Sequence, residues 1–124
     1  MKLRMQDDSV RLRMRRSEVT RLAAEGRVSA CVHFGARALE YSIELDDSLS
    51  QTIADFAGDA IRVRVPRALG IAWCQRPEAG FSATSVIPTV LVEKDFVRTA
   101  VAESDDYDRY ENPRSGRKPP PPPI

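Results

Sequence analysis

Cationic side chains recur at alternate positions in three places: Lys2 and Arg4, then Arg11, Arg13 and Arg15, then Arg62 and Arg64. A guanidinium presents its N–H donors in a rigid fork that matches a carboxylate or a phosphate two bonds at a time. The residues between them are apolar: Leu3, Val10, Leu12, Met14, Ile61, Val63 and Val65. Strict alternation of this kind describes a strand with one apolar face and one cationic face. Arg4, Arg11, Arg13, Arg15, Arg62 and Arg64 are therefore the candidate anion-binding residues. The chemistry they offer is electrostatic capture, with no bond made or broken.

Other reactive types are sparse. Cys31 and His33, two positions apart on one strand, share a face, and Cys74 lies in the other half. Three soft ligands can hold a metal, but Cys-x-His alone is a weak pattern and neither cysteine belongs to a CxxC pair. A zinc ribbon and a thioredoxin-like motif are thus excluded. A Cys–His nucleophile pair needs a third orienting group, and none is evident. No metal and no cofactor are expected, and free cysteine is most simply a small buried hydrophobe. Glu93-Lys94-Asp95 reads as the charged end of a strand, ion-paired across the sheet to the arginines. Trp73 reads as core. The arginines have candidate counter-charges in Glu40, Glu44, Asp55 and Glu93.

These residues need strands to position them. Residues 2–6 and 10–15 alternate, with turn chemistry at Asp7-Asp8 between them. A tight loop there pairs Met5 with Val10 and Leu3 with Leu12, which gathers the apolar residues on one face. The same register sets Arg4 opposite Arg11 and Lys2 opposite Arg13, and like charges directly across a ladder destabilise it. Ser17 then offers an N-cap, with Glu18 in the first turn of a short helix ending at Gly26. Residues 28–34 and 39–45 follow as strands.

The second half repeats the plan. Residues 52–57 and 60–65 are strands joined at Gly58-Asp59, with Phe56 opposite Ile61 and Asp55 opposite Arg62. Here the partners have opposite sign. Pro66 opens a helix whose apolar face is Leu69, Ala72 and Trp73, weakened by Gly70. Residues 81–86 and 89–96 are the last strands. The predicted fold class is α+β: a tandem ββαββ pseudo-repeat forming an antiparallel sheet or partly closed barrel with two short helices. Residues 1–102 form the domain, with pseudo-repeats 1–48 and 49–102. Residues 103–124 read as a disordered tail, acidic at 103–111 and then proline-rich, with five prolines before Ile124.

Composition bounds the function. The chain has 124 residues, 42% apolar and 30% charged, with a formal net charge of +1. Near-neutrality argues against a general nucleic-acid or membrane-surface role, and no aromatic stacking platform interleaves the basic residues. No apolar run reaches the roughly 20 residues that cross a bilayer. Residues 1–8 lack an apolar h-region, so no signal peptide is expected and the cytoplasm is the default location. The charge is nevertheless uneven: residues 1–27 are mainly basic, and every charged residue in 40–59 is acidic.

The order Val-Arg-Leu-Arg…Ser-Glu-Val at 10–19, His-Phe-Gly at 33–35, Leu-Val-Glu-Lys-Asp-Phe at 91–96, and the acidic stretch ending Asn-Pro at 105–113 resembles a family of small uncharacterised bacterial proteins. The resemblance spans most of the chain outside the proline tail. It implies a bacterial origin and no mechanism, and it implies that the proline tail is an embellishment. A closed barrel lined by these arginines would also be similar to triphosphate-binding barrels, but residues 1–6 hold none of the Glu-x-Glu metal ligands of those proteins. The expected function is a non-catalytic binding module that uses the arginine-bearing face, with an unknown protein or a small anionic ligand as partner. The alternative is an enzyme or sensor that binds a phosphorylated small molecule in a basic cavity. The acidic tail is expected to fold over the first hairpin as a tethered counter-anion.

Overall fold

A computed structural model describes residues 1–96. In chain order the elements are β1 (Lys2–Gln6), β2 (Ser9–Met14), α1 (Arg16–Glu25), β3 (Arg27–Phe34), β4 (Arg37–Asp46), β5 (Ile53–Ala57), β6 (Ala60–Pro66), α2 (Arg67–Gln75), β7 (Gly80–Ala83) and β8 (Thr89–Lys94). The expectations for the tail at 103–124 fall outside the described residues.

Both early hairpins form in the register their alternation demands. Met5 faces Val10, Leu3 faces Leu12 and Arg4 faces Arg11, while Phe56 faces Ile61 and Asp55 faces Arg62. Each tight turn places its first residue in the left-handed region: Asp7 at φ 50° and Gly58 at φ 58°. That hand matches the twist of the flanking strands, and Asp is among the few side-chained residues that tolerate it.

The antiparallel sheet or partly closed barrel is not what the strands build. They form two four-stranded sheets, ordered β1-β2-β8-β7 and β3-β4-β6-β5. Each is two antiparallel hairpins joined by a parallel pair, β2 beside β8 and β4 beside β6. Neither closes, because among the described residues the outer strands β1, β7, β3 and β5 remain edges.

One buried cluster binds the two sheets and both helices. It comprises Val10, Leu12 and Met14 of β2, Val90 and Val92 of β8, Val28 of β3, Ile43 and Leu45 of β4, Val63 and Val65 of β6, with Val19, Leu22 and Trp73 from the helices. The charged residues of β2 and β6 alternate with these and so lie on the opposite, outward faces. Leu12 and Val63 are 1% and 0% exposed.

The helices depart from expectation in detail. Helix α1 begins at Arg16 with Arg15, not Ser17, at its N-cap, because the Glu18 carboxylate accepts the Arg15 backbone N–H at 2.9 Å. Glu18 N–H donates to the Arg15 carbonyl at 3.0 Å, completing the cap through the backbone. The helix stops at Gly26, whose φ of 77° suits glycine and whose N–H donates to the Leu22 carbonyl at 2.9 Å. In α2 the inward residues are Gly70 and Trp73, and Leu69 is exposed. Gly70 does not simply weaken the helix. A Cβ there would lie 2.3 Å from Leu45 Cδ2, so its absence lets α2 sit directly on β4.

Candidate anion-binding faces

Six arginines were candidates for one anion site, and the fold distributes them. Arg4, Arg11 and Arg13 lie on the outward face of the β1-β2-β8-β7 sheet, Arg62 and Arg64 on that of the β3-β4-β6-β5 sheet. Arg15 is exposed at the start of α1. No carboxylate is shared between the two arginine groups among the described residues.

On the second sheet the arginines are enclosed by acids. Arg62 Nε lies 3.2 Å from Asp55 Oδ1, its partner across the hairpin. Arg64 reaches Asp46 at 2.8 Å, Glu44 at 3.6 Å and Asp55 at 3.6 Å. Asp46 is held down to about pH 2, first by the Ser48 hydroxyl and backbone N–H, then by Arg64. The Ser48 hydroxyl and N–H donate to one Asp46 oxygen at 2.6 and 2.7 Å. Arg27 adds contacts to Glu40 and, at 3.6 Å, to Glu44.

On the first sheet the balance is different. Glu93 alone serves two guanidinium groups, Arg13 at 3.2 Å and Arg11 at 3.5 Å. Lys2 Nζ lies 3.6 Å from Asp95. Arg4 is exposed, faces Arg11 across the ladder, and has no ion-pair partner among the described residues. Among the described residues this face therefore sets four cations against two carboxylates.

Glu93 thus acts as the charged strand end that its sequence context indicates. Glu44 and Asp55 likewise serve as counter-charges, while Glu40 pairs with Arg27. Sequence reasoning missed Arg27 and ended the strand at residue 45, short of Asp46. The alternation of β4 carries the missed signal, because residues 44 and 46 share parity and hence a face.

The soft-ligand residues do not assemble. Cys31 is exposed on β3, correcting its expectation as a buried hydrophobe; it lies opposite Glu40 on a strand whose tip projects beyond the core. Cys74 is half-buried on α2, where burial pushes its thiol up against the opposing charge of Lys94. Among the described residues no three His, Cys, Asp or Glu side chains are grouped to hold a metal. Lys94 donates to the Arg76 carbonyl at 2.5 Å and lies 5.2 Å from the centre of the Trp73 ring. Trp73 is core, as read from sequence, and meets Phe81 edge-on at 5.3 Å.

At the other margin, the Met1 amine pairs with Glu18 and the Met1 carbonyl accepts the Tyr41 hydroxyl at 2.9 Å. Burial raises the Glu18 carboxyl, but hydrogen bonds from that amine and from Arg15 outweigh it and hold the group below its ordinary range. No helix among the described residues is long and apolar enough to cross a membrane.

The family model described as a family of unknown function, DUF7009, matches residues 1–114. The chain belongs to that family. No curated protein matches it, and no solved structure does.

Proposed function

We propose that the protein is a non-catalytic binding module whose contact surface is the outward face of the β1-β2-β8-β7 sheet, and that its partner is an acidic polypeptide segment. The observation that carries this is the pairing of Arg4 with Arg11. Like charges facing each other across a ladder cost stability, and a surface that keeps them is suited to an anionic visitor. The alternative, a phosphorylated small molecule in a basic cavity, needs three or more of the six arginines to converge. It needs them within a concave pocket beside a carboxylate. Arg4, Arg11 and Arg13 share one face beside Glu93, but that face is the outer side of an open sheet, which favours the flat-surface reading.

We further propose that residues 1–48 and 49–102 are ββαββ pseudo-repeats. What supports this is a set of matched details. The strand order β1-β2-β8-β7 becomes β5-β6-β4-β3 when the halves are exchanged. Arg13 faces Glu93 as Arg64 faces Glu44. Thr89 N–H donates to Asp8 as Glu40 N–H donates to Asp59, both at 2.9 Å. Lys94 N–H donates to Ala79 as Leu45 N–H donates to Gly26, both at 2.8 Å. The inward residues Val19 and Leu22 of α1 match Gly70 and Trp73 of α2. In this alignment Arg4 stands where the second half has Asp55.

The functional reading is tested by titrating a fluorescent decaglutamate peptide at about 50 mM salt, where surface charges are weakly screened. Arg4→Gln combined with Arg11→Gln should weaken binding about tenfold or more, and Arg62→Gln should not. Equal losses from the two sheets would overturn the reading. Tripolyphosphate that binds more tightly than the peptide would favour the small-molecule alternative.

A further inference from the structure

We infer that the acidic stretch at residues 103–111 of the same chain occupies the cationic face of the first sheet and competes with the external partner. This rests on the reading of that face as an anion-binding surface and supplies its regulation.

Charge is the first argument. Residues 103–111 contain Glu103, Asp105, Asp106, Asp108 and Glu111 against one cation, Arg109. The face holds Lys2, Arg4, Arg11 and Arg13 against Glu93 and Asp95. The excesses are opposite in sign. Among the described residues the corresponding face of the second sheet has its own acids and no such excess.

Position is the second argument. The described chain ends beside this face and not the other. Asp95 N–H donates to the Met14 carbonyl at 2.8 Å, and its carboxylate lies 3.6 Å from Lys2 Nζ. From there residues 97–102 can reach roughly 20 Å when extended. Lys2 and Arg4 are two residues apart on one strand, about 7 Å. The tether is ample, and a tethered ligand acts at an effective concentration of about millimolar. The acidic stretch also lies inside the family match, which ends at residue 114, whereas the prolines at 119–123 lie beyond it.

Occupancy by a tethered anion would be lost at high salt and would mask the face at low salt. The experiment uses the full chain labelled with nitrogen-15 and its Asp105→Asn/Asp106→Asn/Asp108→Asn variant. Arginine Nε–Hε resonances of Arg4 and Arg11 should shift between the two, while those of Arg62 and Arg64 stay in place. The decaglutamate peptide should then bind the variant about tenfold more tightly than the native chain. Unmoved Arg4 and Arg11 resonances would overturn the inference and leave the surface reading standing if the peptide still binds through Arg4. Shifted resonances with no peptide binding to either chain would overturn the surface reading and, with it, the regulatory role. Loss of the Arg4 shift difference at about 0.5 M salt is the confirming control.

Discussion

The β1–β2 and β5–β6 hairpins have the same geometry and opposite electrostatic outcomes. Each sets an apolar–Arg–apolar–Arg–apolar strand against a short partner through a tight turn. Each sends residues of that strand into the same core, Val10, Leu12 and Met14 from one and Val63 and Val65 from the other, while Met5 and Phe56 stay exposed. Across from the first arginine, one hairpin has Arg4 and the other Asp55. That exchange leaves the second face neutralised from within and the first in want of anions. Inward alternation thus determines where strands sit, and the outward residues are free to diverge without disturbing them.

The largest effects test the likeness of the inward faces. Leu12→Ala should cost about 3 kcal/mol and Val63→Ala about 2 kcal/mol, from lost transfer energy and an unfilled cavity. Urea denaturation measures both, and a silent result at either position would break the comparison. Gly70→Ala comes next. The added methyl meets Leu45 Cδ2 at 2.3 Å and Val65 Cγ1 at 3.4 Å. Overpacking costs roughly 1–3 kcal/mol, against which alanine's better helix propensity returns up to about 1 kcal/mol. A net loss near 1 kcal/mol is expected, and a stabilised variant would show that α2 is not closely seated.

Charge removal sharpens the contrast between the outward faces. Glu93→Gln leaves Arg11 and Arg13 without their common counter-charge and should cost about 1 kcal/mol at low salt. Glu44→Gln should cost measurably less, because Arg64 keeps Asp46 and Asp55. Equal losses in thermal unfolding would remove the asymmetry. The mildest expected effect is in acid. Asp46 titrates at about 2 in the folded chain against an ordinary 3.8. A depressed carboxyl stabilises the fold above the ordinary value, and that contribution fades as pH falls from about 3.8 toward about 2. Asp46→Asn should flatten the stability profile in that window, as followed by circular dichroism.

The hairpins were legible because alternation and turn residues are local. Met5 opposite Val10 follows from the Asp7-Asp8 turn and the need to keep Leu3 and Leu12 on one face. The parallel contacts of β2 with β8 and β4 with β6 were not legible, since no neighbouring residue marks a pairing across such separations. Hence the expectation of a single antiparallel sheet or barrel. Gly70 was misread because propensity scales penalise glycine in a helix, whereas its use here is close approach to Leu45. Cys31 was misread because β3 runs past the core and leaves its tip in water. Of the candidate site, the arginine positions and Glu93 as their partner were readable, but their division between two sheets required the topology.

The parallel junctions also constrain the order in which the molecule can be completed. Arg13 and Glu93 are 80 residues apart and yet face each other across the ladder. On a growing chain the first hairpin emerges early and has no lateral neighbour until the last strand has been made. The β3-β4-β6-β5 sheet draws all its strands from residues 27–66 and can assemble while β1 and β2 still wait. Until then the edge of β2 that later pairs with β8 has no ladder partner, and charged side chains beside such an edge disfavour its pairing with another chain.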